Sequence, residues 1–319
     1  MKEKYNSGEQ MDKFIKVLEI ILPIFVTIFL GILARKKQIV TEEACQGLQQ
    51  FVIKFCVPCV LFNSCFTASF GMESVTAMAL VMPLIVLSSV GFFKFGKKKF
   101  KQHNVPLLFS AQEIGMLGIP LFMTLFGTAQ AYRMGVLDMA QSVTVIPVIA
   151  LLSADTGKNP SAGYVIKKVF QSPLLLMSLL GLVLNLTGAR ELLNDIGIGG
   201  IIAETTGFIA QPISAAILFC VGYNFSLGKG NRKDIFGICL LHFAVFAVIC
   251  ALMQGIACFV PAVDGETRWS LLLYCALPGS YLAASLGKTK EENTVVAGVC
   301  SILTVVCLAV FCVMAVIVA

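Results

Sequence analysis

Apolar residues run along this chain in ten long stretches, each closed off by a short cluster of charged or turn-forming residues. The stretches are 17–34, 47–66, 74–93, 105–126, 133–152, 170–187, 200–226, 234–258, 269–286 and 293–318. A helix of roughly 20 mostly apolar residues crosses about 30 Å of hydrocarbon. The pattern therefore predicts an all-α membrane protein with ten transmembrane helices. Connections are short, and none is long enough to form a separate soluble domain. Function is expected within the membrane or on its short loops.

Basic residues sharpen this picture. Arg35, Lys36 and Lys37 follow span one, and Lys94, Lys97, Lys98, Lys99 and Lys101 follow span three. Lys158, Lys167 and Lys168 follow span five, Lys229, Arg232 and Lys233 follow span seven, and Lys288 and Lys290 follow span nine. The alternate loops carry only Arg133, Arg190 and Arg268. Loops rich in Lys and Arg stay cytoplasmic, so the alternation predicts a multi-pass protein of the cell membrane with both termini extracellular. Lys2, Lys4, Lys13 and Lys16 weakly oppose it.

The two halves of the chain echo one another. Pro23 and Gly31 in span one have the same spacing as Pro173 and Gly181 in span six. Spans two and seven each carry an interior proline, Pro58 and Pro212. Spans four and nine carry Gly118-Ile-Pro120 and Pro278-Gly279, followed by Gly127 and Gly287. Spans five and ten carry Ser142 with Thr144 and Ser301 with Thr304. Five spans per half is an odd number, so the second half inserts upside down, the inverted-repeat plan of many secondary transporters. The expected organisation is an extracellular tail (1–16), a first five-helix repeat (17–152), a cytoplasmic connector (153–169) and a second repeat (170–319).

Composition agrees. Only 13 % of the residues are charged and the mean hydropathy is +0.87, against about 25 % charged in soluble domains. The net charge of +6 sits in short loop clusters, not on one polar face, and does not point to nucleic acid. Residues 1–16 lack the pattern of a cleaved signal peptide. Most of the twelve cysteines lie in apolar runs, where they act as small polarizable hydrophobes. Cys56-Val-Pro-Cys59 has redox-motif spacing without the βαβ context that motif needs.

Candidate chemistry gathers at two predicted helix breaks. Proline removes a backbone hydrogen bond and clashes with the preceding turn, and freed backbone groups survive at membrane depth only inside protein or beside a wet cavity. Gly115, Gly118, Ile119 and Pro120 predict a break in span four; Pro278, Gly279 and Ser280 predict one in span nine. A half-helix starting near Pro120 offers free N–H groups and a positive dipole end to an anion. Two kinked structural helices would explain the same residues. Ionisable groups at membrane depth are costly and usually functional, which singles out Glu113, Lys54 and His242. Glu113 is expected either to pair with Lys54 or to bear a proton, and the pair serves as readily to hold spans together as to couple an ion. Asn63, Gln141, Ser142, Tyr223 and Asn224 are candidates to line a polar cavity, Asn63 above all because it follows Pro58. Gln141 joins Glu113, Lys54 and His242 as a candidate ion-coupling group. Asp138 and Glu204 read as interfacial.

No His-Glu-x-x-His, phosphate-binding glycine loop or Gly-x-Ser-x-Gly occurs. No catalytic residue, cofactor or metal site is expected, and with only His103 and His242 there is little scope for a metal.

The residues quoted above resemble the auxin efflux carrier family in its bacterial branch. The matching pieces are Leu22-Pro23 through Gly31 with Arg35-Lys36-Lys37, Val57-Pro58 through Leu61-Phe62, and Gly115-Met-Leu-Gly-Ile-Pro-Leu with Leu125-Phe126-Gly127. To these add Ser172-Pro173 through Gly181, Pro212 through Val221-Gly222, and Ala276-Leu-Pro-Gly. The resemblance implies ten spans, a scaffold part and a transport part, and broken spans four and nine crossing beside the substrate. It also implies elevator-like alternating access and substrates that are organic anions such as carboxylates. Where the family commonly has Asn, seven residues before the span-four proline, this chain has Glu113. A carboxylate there repels an anion unless protonated or paired, which favours proton or cation coupling, or a different substrate.

The expected function is secondary transport of a small carboxylate-type anion. Alternatives are a sodium-coupled carrier of the bile-acid-transporter type, a membrane receptor that does not transport, and an intramembrane enzyme. Expected partners are the anionic solute, a coupling H+ or Na+, membrane lipid and a second copy of the chain in a homodimer, with no nucleic acid.

Overall fold

The structure, a computed structural model, describes residues 2–68, 71–92, 102, 104–154, 173–225, 231–261, 263–281, 283 and 289–318. The basic residues at 94–101, 158, 167, 168, 229 and 288, together with His103 and Gly287, lie outside them.

All regular structure among the described residues is helical. The helices are α1 (Lys2–Lys36), α2 (Glu42–Phe51), α3 (Val57–Thr67), α4 (Met72–Gly91), α5 (Val105–Leu108), α6 (Ile119–Phe126) and α7 (Ala131–Ala154). After these come α8 (Pro173–Leu186), α9 (Ala189–Asp195), α10 (Ile198–Ala210), α11 (Ile213–Asn224), α12 (Arg232–Phe259), α13 (Gly265–Ala276) and α14 (Lys290–Val318). Among the described residues, five continuous segments are long and apolar enough to cross a membrane: Ile15–Lys36, Glu42–Thr67, Ile198–Asn224, Arg232–Phe259 and Lys290–Val318. A sixth, α8 with α9, is bent by 79°. The protein is a multi-pass membrane protein. Over their described residues, nine of the ten apolar runs coincide with a helix or an interrupted helix, and the run 269–286 is helical up to Ala276.

Two prolines are absorbed in the same way. A five-residue π turn, Val52–Cys56, precedes Pro58, and another, Ile114–Gly118, precedes Pro120. Val57 N–H donates to Val52 O, and Ile119 N–H to Ile114 O. The wider π turn gives the pyrrolidine ring room beside the preceding turn, so the helix continues where proline would otherwise stop it. Span four therefore does not break at Gly115–Pro120. It breaks earlier, between Phe109 and Glu113.

The helices sort into two bundles. In one, α1 lies along α11, and α3 lies against α8 and α10. In the other, α4 packs on α7, and α12, α13 and α14 pack on one another and back onto α4 and α7. Glycine sets the first bundle. A Cβ on Gly31 would run into the Phe219 carbonyl oxygen, one on Gly222 into that of Ile28, and one on Gly181 into that of Phe62. Small residues let backbones approach where lipid supplies no hydrophobic drive between helices. The glycines eight positions after Pro23 and Pro173 thus do the same job, in α1 against α11 and in α8 against α3. Arg35 adds a clasp, its guanidinium donating to the Tyr223 and Phe225 carbonyls at 3.3 and 3.1 Å.

Candidate functional site

The segments that follow α5 and α13 meet within the second bundle. After α5 the chain becomes extended, and after α13 it does the same at Leu277 (φ −61°, ψ 146°). The extended pieces pair antiparallel at Gln112 and Gly279. Glu113 N–H donates to Pro278 O at 3.0 Å, and Ser280 N–H donates to Ala111 O at 2.8 Å. Gly279 lies against Leu108: a Cβ there would sit 2.8 Å from the Leu108 carbonyl oxygen and 2.9 Å from its Cα. Only glycine permits this crossing distance.

Every backbone group freed by the breaks must find a partner, because water is scarce at this depth. Side chains from neighbouring helices supply them. His242 Nε2 donates to the Leu108 carbonyl at 3.2 Å, and Ser88 Oγ donates to the Phe109 carbonyl at 2.7 Å. Cys300 Sγ lies 3.4 Å from the Gly279 carbonyl. Gln141 holds Gln112 on both sides, its Oε1 accepting from Gln112 N–H at 2.7 Å and its Nε2 donating to Gln112 O at 2.8 Å. The Gln112 amide, oriented by its neighbours, donates to Leu277 O at 2.8 Å and Pro278 O at 3.2 Å. Tyr274 OH reaches Gln141 Oε1 at 3.3 Å.

Glu113 is buried and faces the other broken helix. Its Oε2 accepts from Tyr281 N–H at 2.7 Å, and the Ser280 side chain also hydrogen-bonds to the carboxylate. The expected pairing with Lys54 does not form. Lys54 is exposed and donates to Gln50 Oε1 at 3.3 Å, one turn back on its own helix. Lys54 lies within the π turn Val52–Cys56, whose buried residues are Val52 and Cys56. His242 is a hydrogen-bond donor to the break, its ring stacked on Phe246 at 4.5 Å. Asp138, read as interfacial, instead lies half-buried within electrostatic reach of Glu113 and Tyr274. Glu204 is exposed, Tyr223 OH donates to the Val40 carbonyl at 2.9 Å, and Asn224 is exposed.

Between Asn104 and Phe122 every residue is buried except Gly115. That residue opens the start of the α6 arm towards Leu174 of α8, 3.7 Å from where its Cβ would be. Gly118, by contrast, is packed against Met134 and Leu277. Ile119 and Pro120 are buried in the first turn of α6.

Asn63 is not at the crossing. It lines a separate cavity of about 280 Å³ with Thr124, Thr128, Thr206, Gln211 and Ser214. Its Oδ1 is buried with no partner among the described residues. This cavity lies between α3, α6 and the α10–α11 hinge. A second, apolar cavity of about 600 Å³ lies between α1, α11 and α14, lined by Ile28, Val221 and Leu308 among others. Both cavities follow the seam between the two bundles.

The sequence therefore locates Glu113, Gln141, Pro278, Gly279 and Ser280, which meet. It misses Gln112, Asp138, Tyr274 and Tyr281. One signal was present: Ser110-Ala-Gln-Glu113 is a polar run in the middle of an apolar span.

Far from the crossing, Arg133 at the start of α7 is buried and grips the start of α13. Its NH1 and NH2 donate to Asp264 Oδ1 and Oδ2 at 2.8 and 2.7 Å, and NH2 also donates to Glu266 Oε2 at 2.9 Å. NH1 further donates to Thr267 Oγ1, and Nε donates to Gln130 Oε1 at 2.8 Å. Burial pushes the Asp264 carboxyl up. The Thr267 hydroxyl and N–H and the Arg133 guanidinium outweigh that and hold it below the usual aspartate value.

A family model described as membrane transport protein matches residues 16–318. An uncharacterized transporter of Methanothermobacter thermautotrophicus is 23 % identical over 284 residues, covering 86 % of this chain and 88 % of its own. The uncharacterized transporter YfdV of Escherichia coli O157:H7 is 21 % identical over 275 residues, covering 82 % of this chain and 84 % of its own. Its counterpart in Shigella flexneri matches to the same extent.

Proposed function

Since the chain belongs to the membrane transport protein family, that of the auxin efflux carriers, we propose that it is a secondary transporter of a small organic anion, carboxylate in type, across the cell membrane. It works by elevator-like alternating access, with ten spans in two inverted repeats and both termini outside. The observation that carries this reading is the antiparallel pairing, at Gln112 and Gly279, of the segments that follow α5 and α13. Broken helices in corresponding places of two halves are where carriers of this plan hold their solute.

The sorting of helices favours inverted repeats. Each bundle draws on both halves, with α1 and α3 set against α8, α10 and α11, and α4 to α7 set against α12 to α14. The moving part is the bundle that contains the crossing, and the seam with its two cavities is the sliding surface. The solute lodges where Gly115 opens the α6 arm to that seam. A helix start presents N–H groups and a positive dipole end to an anion. Glu113 does not oppose this, because its carboxylate is turned to Tyr281 N–H and Ser280. Gly118, Ile119, Pro120, Pro278, Gly279 and Ser280 shape the arm and its crossing, and the Asn63 cavity lies on the solute's path along α6. Coupling to H+ or Na+ runs through Glu113, with Gln141 and His242 holding the backbone beside it.

The test is uptake by proteoliposomes across a panel of mono- and dicarboxylates, with pH, sodium and voltage gradients imposed one at a time. Uptake of at least one carboxylate, driven by a pH gradient and lost in Gly115→Leu, is the expected result. Uptake driven by sodium alone selects the bile-acid-transporter type of coupling. No gradient-driven uptake of any carboxylate overturns the reading.

A further inference from the structure

We propose that Arg133 is a positioning residue: its grip on Asp264 and Glu266 sets the register in which the two broken helices cross. Isolated surface ion pairs contribute little, but this one is of another kind. Arg133 is 8 % exposed, while its carboxylate partners Asp264 and Glu266 are 45 % and 43 % exposed. A guanidinium has five N–H donors in a fixed fork. All five are used: two on Asp264, and one each on Glu266, Thr267 and Gln130. A buried Arg satisfied in this way fixes direction as well as distance, which a lysine cannot do.

The grip is the far end of a two-point attachment. Eight residues along α7 from Arg133, Gln141 holds Gln112 at the crossing; seven residues along α13 from Thr267, Tyr274 bonds that same Gln141 at 3.3 Å. Two rods with their starts at the same end are tied at that end and again roughly 12 Å on, at 1.5 Å per residue. Slippage of α13 at Asp264 would carry Pro278–Ser280 with it. Asp264 is also the N-cap of α13, accepting from Thr267 N–H at 2.8 Å, so the clamp acts on the first turn of the rod.

The opposite end of the bundle repeats the arrangement without charge. Asn104, at the cap position of α5, donates to the Ala283 carbonyl at 2.7 Å and to Asn293 Oδ1 at the start of α14 at 3.4 Å. Each end thus ties the start of a broken helix to an element of the other half, by a bidentate ion pair at one end and by a single amide at the other.

The consequence for transport rests on the preceding reading, but the test does not need a solute. Hydrogen–deuterium exchange is measured by mass spectrometry on the protein in lipid nanodiscs, for wild type, Arg133→Gln, Arg133→Lys, Asp264→Asn, the double variant Arg133→Gln with Asp264→Asn, and the exchange Arg133→Asp with Asp264→Arg. The expected result is at least tenfold faster exchange of the Glu113, Ser280 and Tyr281 amides in Arg133→Gln, with less than twofold change around Gly222 in the other bundle. Arg133→Lys falls between, Asp264→Asn adds nothing once Arg133 is gone, and the charge exchange does not restore protection, because Asp264→Arg removes the acceptor of the Thr267 N–H and Arg133→Asp removes the donors to Gln130 and Thr267. Should Arg133→Gln fail to fold, the double variant Asp264→Asn with Glu266→Gln gives the same comparison, because it removes both carboxylates while Gln130 and Thr267 keep the buried guanidinium hydrogen-bonded. Crossing amides that keep wild-type protection, or protection lost equally in both bundles, overturn the proposal. Carboxylate uptake by proteoliposomes judges the transport reading separately.

Discussion

At the scale of single residues, the informative contrast is between Glu113 and Lys54. The sequence marks both as charges at membrane depth. Only the folded chain shows that one is turned inward to Tyr281 N–H and the other outward to Gln50. A side chain's direction depends on the local turn, and the π turn at Val52–Cys56 cannot be counted from the 3.6-residue period. Replacing Glu113 by Ala leaves a buried N–H without its acceptor, which costs about 1–3 kcal/mol. Glu113→Gln keeps an oxygen there. Thermal unfolding in detergent is expected to show the larger loss for Ala, with Lys54→Ala close to wild type. Equal losses for Gln and Ala would mean that the charge, not the hydrogen bond, is what matters at this position.

At the scale of elements, sequence reasoning finds the span-nine break and misplaces the span-four break for one reason. Pro278-Gly279 stops a helix by local chemistry alone, and local chemistry is legible. The span-four break at Phe109–Glu113 contains neither proline nor glycine. It exists because Ser88 and His242, distant in the chain, take the carbonyls that a helix would have used. Such tertiary replacements leave no trace in spacing. The helix contacts built on glycine are more readable, since Pro23 to Gly31 and Pro173 to Gly181 repeat at equal spacing. Gly222→Leu drives a side chain into the Ile28 carbonyl, and overpacking of this kind costs on the order of 1–3 kcal/mol or more. A lower melting temperature is expected, with separation of α1 from α11 seen as faster exchange in both. An unchanged melting temperature would show that α1 moves aside without loss.

At the scale of the whole molecule, two bundles meet along a seam that holds a polar cavity and an apolar one. If one bundle slides past the other, joining them must stop transport while leaving each intact. Ile28 and Leu308 face the apolar cavity from opposite bundles. The twelve native cysteines are all free, so the experiment needs a background in which they are replaced. In that background, oxidising Ile28→Cys with Leu308→Cys is expected to cut carboxylate uptake at least tenfold, and dithiothreitol is expected to restore it. Full uptake through the crosslinked protein would rule out sliding at this seam.

The pairing of α1 with α11 and of α3 with α8 also has a consequence for how the protein is made. Gly31 must wait for Gly222, and Phe62 for Gly181, before either close contact can form. At about 5–20 residues per second, the early helices spend on the order of ten seconds or longer in the bilayer without their final neighbours. The yield of correctly assembled transporter is then expected to depend on ribosomal pace and insertion machinery more than on local helix strength.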